Sequence, residues 1–232
     1  MAESRRPPGS ELLDDPEADP AAVRESLRYI ARSNRWFGGW WALRFGLSRI
    51  LQGLPQDIEV TLLDVGTGMG DLPLLAEHWA MRHRIAILPI GLERHRAAAR
   101  LAADAGIPTM LGDATTLPVR TRSVDIVLLS QVLHHFPRDA AIRLLAEAER
   151  VAQLGVIVAD LQRSPLALAG FWVGARFLGF DAATRSDGLT SVRRGYTQTE
   201  LEDLLRAAGI RVPVSERPGF RLVAAWRAGG GR

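Results

Sequence analysis

Hydrophobic positions along the chain follow two periodicities that alternate from about residue 58 onwards. Short continuous apolar runs, typical of strands buried on both faces of a parallel sheet, are separated by stretches of helical periodicity. Strands are predicted at residues 59–65, 85–92, 109–111, 124–130, 155–161, 211–215 and 220–226, and helices at residues 72–82, 94–105 and 139–152. This alternation predicts an α/β fold with a doubly wound, mostly parallel sheet of seven strands.

The C-terminal part of the pattern predicts one further helix and a change of strand direction. Thr197-Gln198-Thr199-Glu200 has the form of a capping box, which begins a helix, and Gly209 ends it. The last two predicted strands are joined through Pro218-Gly219 by a hairpin-like turn. We therefore expect the final strand to be antiparallel to its neighbour.

The segment before the first strand, residues 21–55, predicts a helical cap that is broken near Gly38-Gly39. Four aromatic residues are concentrated at the break: Trp36, Phe37, Trp40 and Trp41. We interpret this cluster as packing of the cap on the domain, and a binding site is the alternative. Residues 1–20 are polar and rich in Pro, which predicts a disordered or loosely docked tail. The domain is therefore expected to span residues 21–232.

A long insertion, residues 162–196, interrupts the alternation after the fifth strand. Residues 164–180 within it are strongly apolar, but the run is too short and too rich in Gly to favour a membrane-spanning helix. We expect the insertion to form a lid over the end of the sheet. A helix that touches a membrane surface and a homodimer face are the two alternatives.

Composition excludes several classes of function. The net charge is +3 and the sequence pI is near 10.3, but every basic side chain is Arg, whose high pKa raises the pI without a basic patch. We therefore predict no nucleic-acid partner. The chain has no Lys for a Schiff base and no Cys for a disulfide, a thiol nucleophile or a thiolate metal site. Its N-terminal residues contain no signal-peptide core, so we expect a cytoplasmic protein. The exclusive use of Arg indicates a GC-rich genome, and we expect a bacterial source.

A glycine-rich turn follows the first predicted strand, in the sequence Asp64-Val65-Gly66-Thr67-Gly68-Met69-Gly70. Glycine permits a tight turn from strand to helix, and its missing Cβ lets a ligand lie against backbone amides. The G-x-G-x-G spacing differs from the dinucleotide fingerprint and lacks the Gly-Lys pair of a phosphate-binding loop. A nucleotide-like cofactor is therefore expected, and the spacing disfavours a nicotinamide oxidoreductase.

Polar residues also follow the next three predicted strands, where ligands bind in a doubly wound sheet. They are Glu93 and Arg94, then Asp113 and Ala114, then Ser130 and Gln131. A carboxylate at Glu93 suits ribose hydroxyls, and one at Asp113 suits the exocyclic amine of adenine. The alternatives are a solvated acid at a helix start for Glu93 and a simple turn for Asp113.

Taken in order over residues 58–160, these segments resemble the motifs of class I S-adenosylmethionine-dependent methyltransferases, especially those of quinone and natural-product biosynthesis. The resemblance implies a Rossmann-like methyltransferase fold and S-adenosylmethionine as cofactor. The implied contacts are Gly66, Gly68 and Gly70 to the methionine moiety, Glu93 to ribose, Asp113 and Ala114 to adenine, and Ser130 and Gln131 near the sulfonium, with Asp64, Thr67 and Arg94 in the same set. Glu93 follows Gly66 by 27 residues, which is longer than usual in the family.

Two histidines follow the fourth strand and an acid ends the fifth, at the mouth of one cleft: His134, His135 and Asp160. Transfer to a hydroxyl benefits from a base, because a phenol with a pKa of about 10 is mostly protonated at neutral pH. A His oriented by a carboxylate can be that base, and packing beside the cofactor is the alternative. The other histidines, His78, His83 and His95, are expected in surface or packing positions. No metal is predicted, because no metal-type spacing of His or Cys is visible.

The function predicted from these observations is methyl transfer from S-adenosylmethionine to a small, fairly apolar acceptor, such as an aromatic, polyketide or quinone-like compound. O-methylation is favoured over C-methylation. The alternative is a protein that binds the cofactor without methylating, in a pericyclic or accessory role. The predicted partner is a small-molecule acceptor, while the lid segment leaves a peripheral membrane contact and a homodimer open.

Overall fold

The computed structural model describes residues 11–15 and 17–230. The strands are β1 (Ile58–Val65), β2 (Ile85–Glu93), β3 (Thr109–Leu111), β4 (Val124–Ser130), β5 (Ala152–Leu161), β6 (Ser215–Arg217) and β7 (Arg221–Arg227). The helices are α1 (Pro20–Trp36), α2 (Gly39–Leu51), α3 (Asp71–Met81), α4 (Arg96–Asp104), α5 (Arg138–Val151), α6 (Pro165–Phe177), α7 (Ala182–Arg194) and α8 (Gln198–Ala207).

The seven strands form one sheet in the order β3-β2-β1-β4-β5-β7-β6. Strands β1 to β5 pair in parallel, whereas β7 is antiparallel to both β5 and β6. The predicted α/β class, the mostly parallel sheet and the antiparallel last strand are therefore confirmed. From β1 the chain continues to β2 and β3 on one side of the sheet, and then returns to β4 on the other side of β1. The strand order therefore reverses between β1 and β4, and ligands bind at such a reversal in doubly wound sheets.

The two faces of the sheet bury separate hydrophobic cores because alternate strand residues point to opposite sides. On one face, Leu63 and Val127 belong to the core that includes residues of α5 and α8. On the other, Leu62 and Ile126 belong to the core that includes residues of α2 and α3. The predicted cap therefore supplies one layer of the fold through α2.

The sixth strand lies later in the chain than the predicted range, residues 211–215. The observed strand, β6, begins only at Ser215. Pro213 lies in the preceding segment and has no backbone N–H to donate to a sheet ladder, which explains the late start. The register of β7 is unaffected, since it pairs with β5 over seven residues from Arg221 to Arg227.

Part of the segment predicted as a disordered or loosely docked tail makes specific hydrogen bonds to the rest of the domain. Residues 1–10 lie outside the described residues. Leu12–Asp14 form a short 3-10 turn, and Glu11 and Asp14 both accept hydrogen bonds from Arg194 of α7. The backbone N–H of Leu12 also donates to Asp187 at 3.1 Å. This segment is therefore tied to the insertion that follows β5.

The insertion at residues 162–196 consists of α6 and α7, which pack near the carboxyl ends of the strands. Helix α6 leaves four large hydrophobic side chains exposed to solvent: Leu166, Trp172, Val173 and Phe177. No helix in the described part of the chain combines the length and apolar character needed to cross a bilayer. The membrane contact and the homodimer stay predictions.

Candidate active site

A cavity of about 580 Å³ opens at the carboxyl ends of the parallel strands. Its volume lies within the range of roughly 300–1,000 Å³ that is usual for small-molecule sites. The loops after β1, β2, β3 and β4 form its floor, while residues of α1, α6 and α7 cover it. The cavity therefore brings together the strand-end residues singled out from the sequence and the predicted lid.

The glycine-rich turn meets this cavity at two of its three glycines. Gly66 and Gly68 line the cavity with φ values of +74° and +58°, a left-handed conformation that residues with a Cβ adopt at a cost. Gly70 is not a lining residue. A Cβ at Gly70 would lie 2.9 Å from Cγ1 of Ile107, so glycine is required there for packing at the start of α3.

Glu93 holds the glycine-rich turn in place from the end of β2. One carboxylate oxygen, Oε2, accepts the N–H of Gly68 at 3.0 Å. The other, Oε1, accepts the backbone N–H groups of Arg94 and His95 at 2.8 and 2.9 Å. Glu93 and Arg94 both line the cavity. The carboxylate therefore orients the turn and still faces the space where a ligand would lie.

Two more carboxyl groups are buried beside the turn. Burial raises the pKa of Asp64 to about 8, against a lowering by the Thr67 hydrogen bond, and the charges of Asp71 and Glu93 raise it further. Burial also raises the pKa of Asp71, which accepts a hydrogen bond from Asn34 Nδ2 at 3.0 Å. A concentration of buried acid at one end of a cavity favours a cationic group on the ligand.

Asp113 and Ala114 line the cavity after β3, as predicted. Oδ1 of Asp113 accepts both the backbone N–H and the hydroxyl of Thr115 at 2.6 Å, and these bonds hold the pKa of Asp113 below its usual range. The turn considered as an alternative is thus present. Among the described residues, the turn engages only one of the two carboxylate oxygens, so it orients the carboxylate and does not exclude a ligand contact.

Ser130 and Gln131 line the cavity at the end of β4. Gln131 has a positive φ of 54° and lies in a chain of hydrogen bonds, donating to Asn34 Oδ1 at 2.5 Å and accepting from Arg221 Nη1 at 3.0 Å. Arg221, on β7, also donates to the carbonyl of Phe37 at 3.1 Å. Burial lowers the pKa of Arg221 to about 10, although the nearby charge of Asp160 acts in the opposite direction.

His134 and Asp160 form a buried pair at the far end of the cavity. Nδ1 of His134 donates to Oδ1 of Asp160 at 2.6 Å, and the two side chains are 2% and 0% exposed. Burial acts to raise the pKa of Asp160, but the interaction with His134 holds it below its usual value. Nε2 of His134 is buried and has no hydrogen-bond partner among the described residues. His134 lines the cavity, while Asp160 lies behind it.

His135 also lines the cavity, and its Nδ1 lies 3.1 Å from Oδ1 of Asp14. None of the other histidines is a lining residue. His78 and His83 are exposed on and just after α3, and His95 caps α4 by accepting the N–H of Ala97. The structure thus brings together the two histidines and the acid that were predicted as one group.

Aromatic rings form a substantial part of the cavity wall. Five phenylalanines contribute to the lining: Phe37, Phe136, Phe171, Phe180 and Phe220. Phe171 packs over Gly188, where an added Cβ would lie 2.0 Å from the ring. Of the predicted aromatic cluster, only Phe37 lines the cavity; Trp40 packs against the core, and Trp36 and Trp41 are exposed. The packing interpretation thus describes Trp40, and a binding role for Phe37 stays a prediction.

Sequence reasoning missed four residues that shape this site: Glu11, Asn34, Asp71 and Arg221. Asp71 had a usable signal, since it directly follows the glycine-rich turn and begins α3. The other three come from segments far along the chain, and no local pattern marks them. They reach the cavity only through the packing of the N-terminal segment, α1 and β7.

Residues 63–159 match a family model described as a methyltransferase domain. No curated protein sequence matches the chain at a significant level. Among solved structures, the chain is similar to a SAM dependent methyltransferase from Aquifex aeolicus, with 17% identity and a TM-score of 0.60 over 90% of this chain and 98% of that one. This likeness shows that the two chains share a fold.

Two further solved structures are longer than this chain. One is an O-methyltransferase family 2 protein from Planctomyces limnophilus DSM 3776 in complex with apigenin, with 18% identity, a TM-score of 0.65, and coverage of 93% of this chain and 63% of that one. The other is the mitomycin 7-O-methyltransferase MmcR, with 21% identity, a TM-score of 0.63, and coverage of 94% and 61%. Residues 63–159, which contain the sequence motifs from β1 to β5, are thus similar to a methyltransferase domain, and the whole chain shares the fold of these solved structures.

Proposed function

We propose that the protein transfers the methyl group of S-adenosylmethionine to a hydroxyl group on a small, apolar, aromatic or quinone-like acceptor. The observation that carries this proposal is His134 Nε2, which has no hydrogen-bond partner among the described residues. His134 lines the same cavity as five phenylalanine rings, and Asp160 holds the other nitrogen of its imidazole. A free imidazole nitrogen in apolar surroundings is suited to accept a proton from an acceptor hydroxyl.

The residues at the other end of the cavity fit the cofactor. Gly66 and Gly68 present backbone without a Cβ to the cavity. We assign Glu93 to the ribose and Asp113 with Ala114 to the adenine, as the sequence resemblance implied. S-adenosylmethionine, when bound, supplies an electrophilic methyl carbon attached to a sulfonium.

The buried acids of this end suit the ammonium group of the methionine moiety. Asp64 and Asp71 lie beside the glycine-rich turn, and Asn34 fixes the carboxylate of Asp71. Gln131 in turn is fixed by Asn34 and Arg221, so the polar residues that face the donor are held by one connected set of hydrogen bonds. Fixed polar groups keep donor and acceptor at reactive distance without reorganisation.

At the acceptor end, Nε2 of His134 would accept the proton of the acceptor hydroxyl. The bound cofactor would supply the methyl group, whose bond to sulfur would break as the bond to the acceptor oxygen formed, leaving a neutral thioether. Asp160 accepts the Nδ1–H of the same ring, which fixes the tautomer with a free Nε2 and stabilises the imidazolium that forms. The backbone N–H of Leu161 donates to Oδ1 of Asp160 at 2.7 Å and keeps the carboxylate in position. His135 lies beside His134, with ring centroids 4.3 Å apart, and contacts the acceptor from the same side.

The lid supports the choice of acceptor. Phe171 of α6 and the following Phe180 cover the cavity together with Val192 of α7, so this part of the wall offers apolar contact. Exclusion of water there strengthens the polar interactions at the reacting atoms. The similar structures include an O-methyltransferase in complex with apigenin and a mitomycin 7-O-methyltransferase, which agrees with an acceptor of this class. In the described part of the chain, no contact favours the non-methylating alternative.

The acceptor class is tested with methyl-labelled S-adenosylmethionine and a panel of compounds. We expect labelled products from hydroxylated aromatics, polyketides or quinone precursors, and none from sugars or amino acids, because the aromatic wall offers polar compounds few hydrogen bonds. Scintillation counting after extraction measures the product. Methylation of the polar compounds alone would contradict the proposed acceptor.

Replacement of the proposed base should separate chemistry from cofactor binding. We expect His134→Ala to lower kcat by a factor of about 10²–10⁴, the usual effect of losing a general base. The Kd for S-adenosylmethionine should stay near that of the unchanged protein, since His134 lies at the acceptor end. His78→Ala, on the exposed face of α3, is the matched control. Full turnover in the His134 variant would leave positioning as the source of the rate.

The glycine-rich turn is tested with two glycines of similar backbone conformation. Gly68→Ala places a Cβ 3.1 Å from Leu27 Cδ2 at the cavity, whereas Gly106→Ala, with φ of +91°, has nothing within 4 Å of its Cβ. Both variants should lose some stability because of positive φ. We expect only Gly68→Ala to weaken cofactor binding strongly in isothermal titration. Equal binding by the two variants would remove the assigned contact at this glycine.

The raised pKa of Asp64 predicts that a proton is released when the cofactor binds. Because its pKa is about 8 in the ligand-free protein, Asp64 is mostly protonated at neutral pH. Pairing with the ammonium group of the cofactor favours the ionised form, so binding releases a proton and affinity rises with pH until it levels off above about pH 8. Titrations in buffers of different ionisation enthalpy measure the release. Asp64→Asn should abolish it, while Asp113→Asn, at a carboxyl with a lowered pKa, should not.

A further inference from the structure

Three potential metal ligands meet at the acceptor end of the cavity: Glu11, His134 and His135. One ligand atom from each lies within 4.8 Å of those of the other two. All three residues line the cavity. Their convergence depends on the docked N-terminal segment, because Glu11 precedes α1 while the two histidines follow β4.

Each of the two histidines uses Nδ1 to contact a carboxylate. Nδ1 of His134 lies 2.6 Å from Asp160, and Nδ1 of His135 lies 3.1 Å from Asp14. This is the arrangement found around metal-binding histidines, whose second nitrogen is held by a carboxylate that fixes the ring and increases its basicity. It leaves Nε2 as the available ligand atom of both rings.

Nε2 of His134 is the strongest single indication of a ligand. The side chain is 2% exposed, and this nitrogen has no hydrogen-bond partner among the described residues. A buried polar atom without a partner costs free energy, so it is expected to find one when the cavity is filled.

Glu11 is held so that one carboxylate oxygen faces His135. Its Oε2 lies 3.9 Å from Nε2 of His135 and accepts the hydroxyl of Ser191 at 2.6 Å. Its Oε1 accepts Nη1 of Arg194 at 3.2 Å. Since a carboxylate oxygen has two lone pairs, Oε2 keeps one for a further partner.

The charges around the three ligands leave room for a cation. Glu11, Asp14 and Asp160 carry negative charge when ionised, while Arg194 and Arg221 carry positive charge. With both imidazoles neutral, the surroundings hold one net negative charge. A divalent cation is therefore not opposed by the local charge, although Arg194 offsets part of the attraction.

We propose that Glu11, His134 and His135 bind a divalent cation of the Zn²⁺ type. Two imidazole nitrogens and one carboxylate oxygen are a ligand set that zinc uses where a fourth position stays open. Magnesium is disfavoured because it prefers oxygen ligands and retains several waters. Zinc ligand bonds of about 2.0–2.2 Å require the three atoms to move closer together, so binding draws Glu11 inward and turns the ring of His135.

Occupancy of this site opposes methyl transfer, a consequence that rests on the proposed function. The cation uses the lone pair of His134 Nε2, which then cannot accept the proton of the acceptor hydroxyl. It also stands where that hydroxyl has to approach. The metal site is thus a point at which Zn²⁺ inhibits the enzyme, and the metal-free protein is the active form.

The test uses the untagged full chain after treatment with a chelator that is then removed. Isothermal titration with Zn²⁺ alone measures affinity and stoichiometry, and Co²⁺ serves as a probe whose visible absorption reports nitrogen ligands. We expect one equivalent of Zn²⁺, with affinity weakened by at least about 10-fold in Glu11→Gln and in His135→Gln. His83→Gln, on an exposed histidine, is the matched control and should bind as the unchanged protein does.

Activity is measured separately, with and without Zn²⁺, on any acceptor that the labelled panel identifies. We expect Zn²⁺ to inhibit the unchanged protein at concentrations that fill the site, and Glu11→Gln to need at least about 10-fold more. No binding, or equal binding by the Glu11, His135 and control variants, overturns the site. Binding without inhibition overturns its regulatory effect. Tight binding by a protein that methylates nothing in the panel contradicts the proposed function and leaves the metal site intact.

Discussion

The site depends on how the fold accommodates one buried negative charge, the carboxylate of Asp160 at the end of β5. A carboxylate with no solvent exposure costs several kcal/mol unless it is paired and hydrogen-bonded. Three N–H groups reach it, from Nδ1 of His134 and the backbones of His134 and Leu161. Arg221 adds positive charge from β7. The requirement to satisfy this carboxylate therefore fixes the imidazole, the end of β4 and the neighbouring antiparallel strand together.

Different forces shape the two ends of the cavity. The end at the glycine-rich turn is held by hydrogen bonds, of which the most local are those that three backbone N–H groups donate to the carboxylate of Glu93. The other end is held by rings that rest on glycines, as Phe171 does on Gly188. Hydrogen bonds fix position closely, whereas apolar packing is less directional. This contrast is consistent with a single cofactor bound at the glycine-rich turn and with a range of acceptors bound at the other end.

The sequence was sufficient for most of the fold because its signals are local. The buried strand runs, the turn at Gly66 to Gly70 and the capping box at Thr197 each depend on a few neighbouring residues, and all are observed. The predicted start of β6 was wrong because the prediction followed the apolar pattern and neglected that Pro213 has no backbone N–H to donate. The strand-end residues were found through the rule that ligands bind at strand ends. Glu11 and Arg221 could not be found that way, since only tertiary packing brings them to the cavity.

The position of β7 between β5 and β6 has a consequence for synthesis of the chain. The ribosome releases β5, with Asp160, well before β7, with Arg221. Strand β7 nevertheless pairs directly with β5, over seven residues of each strand. Until then the edge of β5 has no partner strand, and the acid at its end lacks its arginine. An open edge of this kind is prone to pair with other chains. The surroundings of Asp160 and the protection of that edge are thus completed in the same late step of folding.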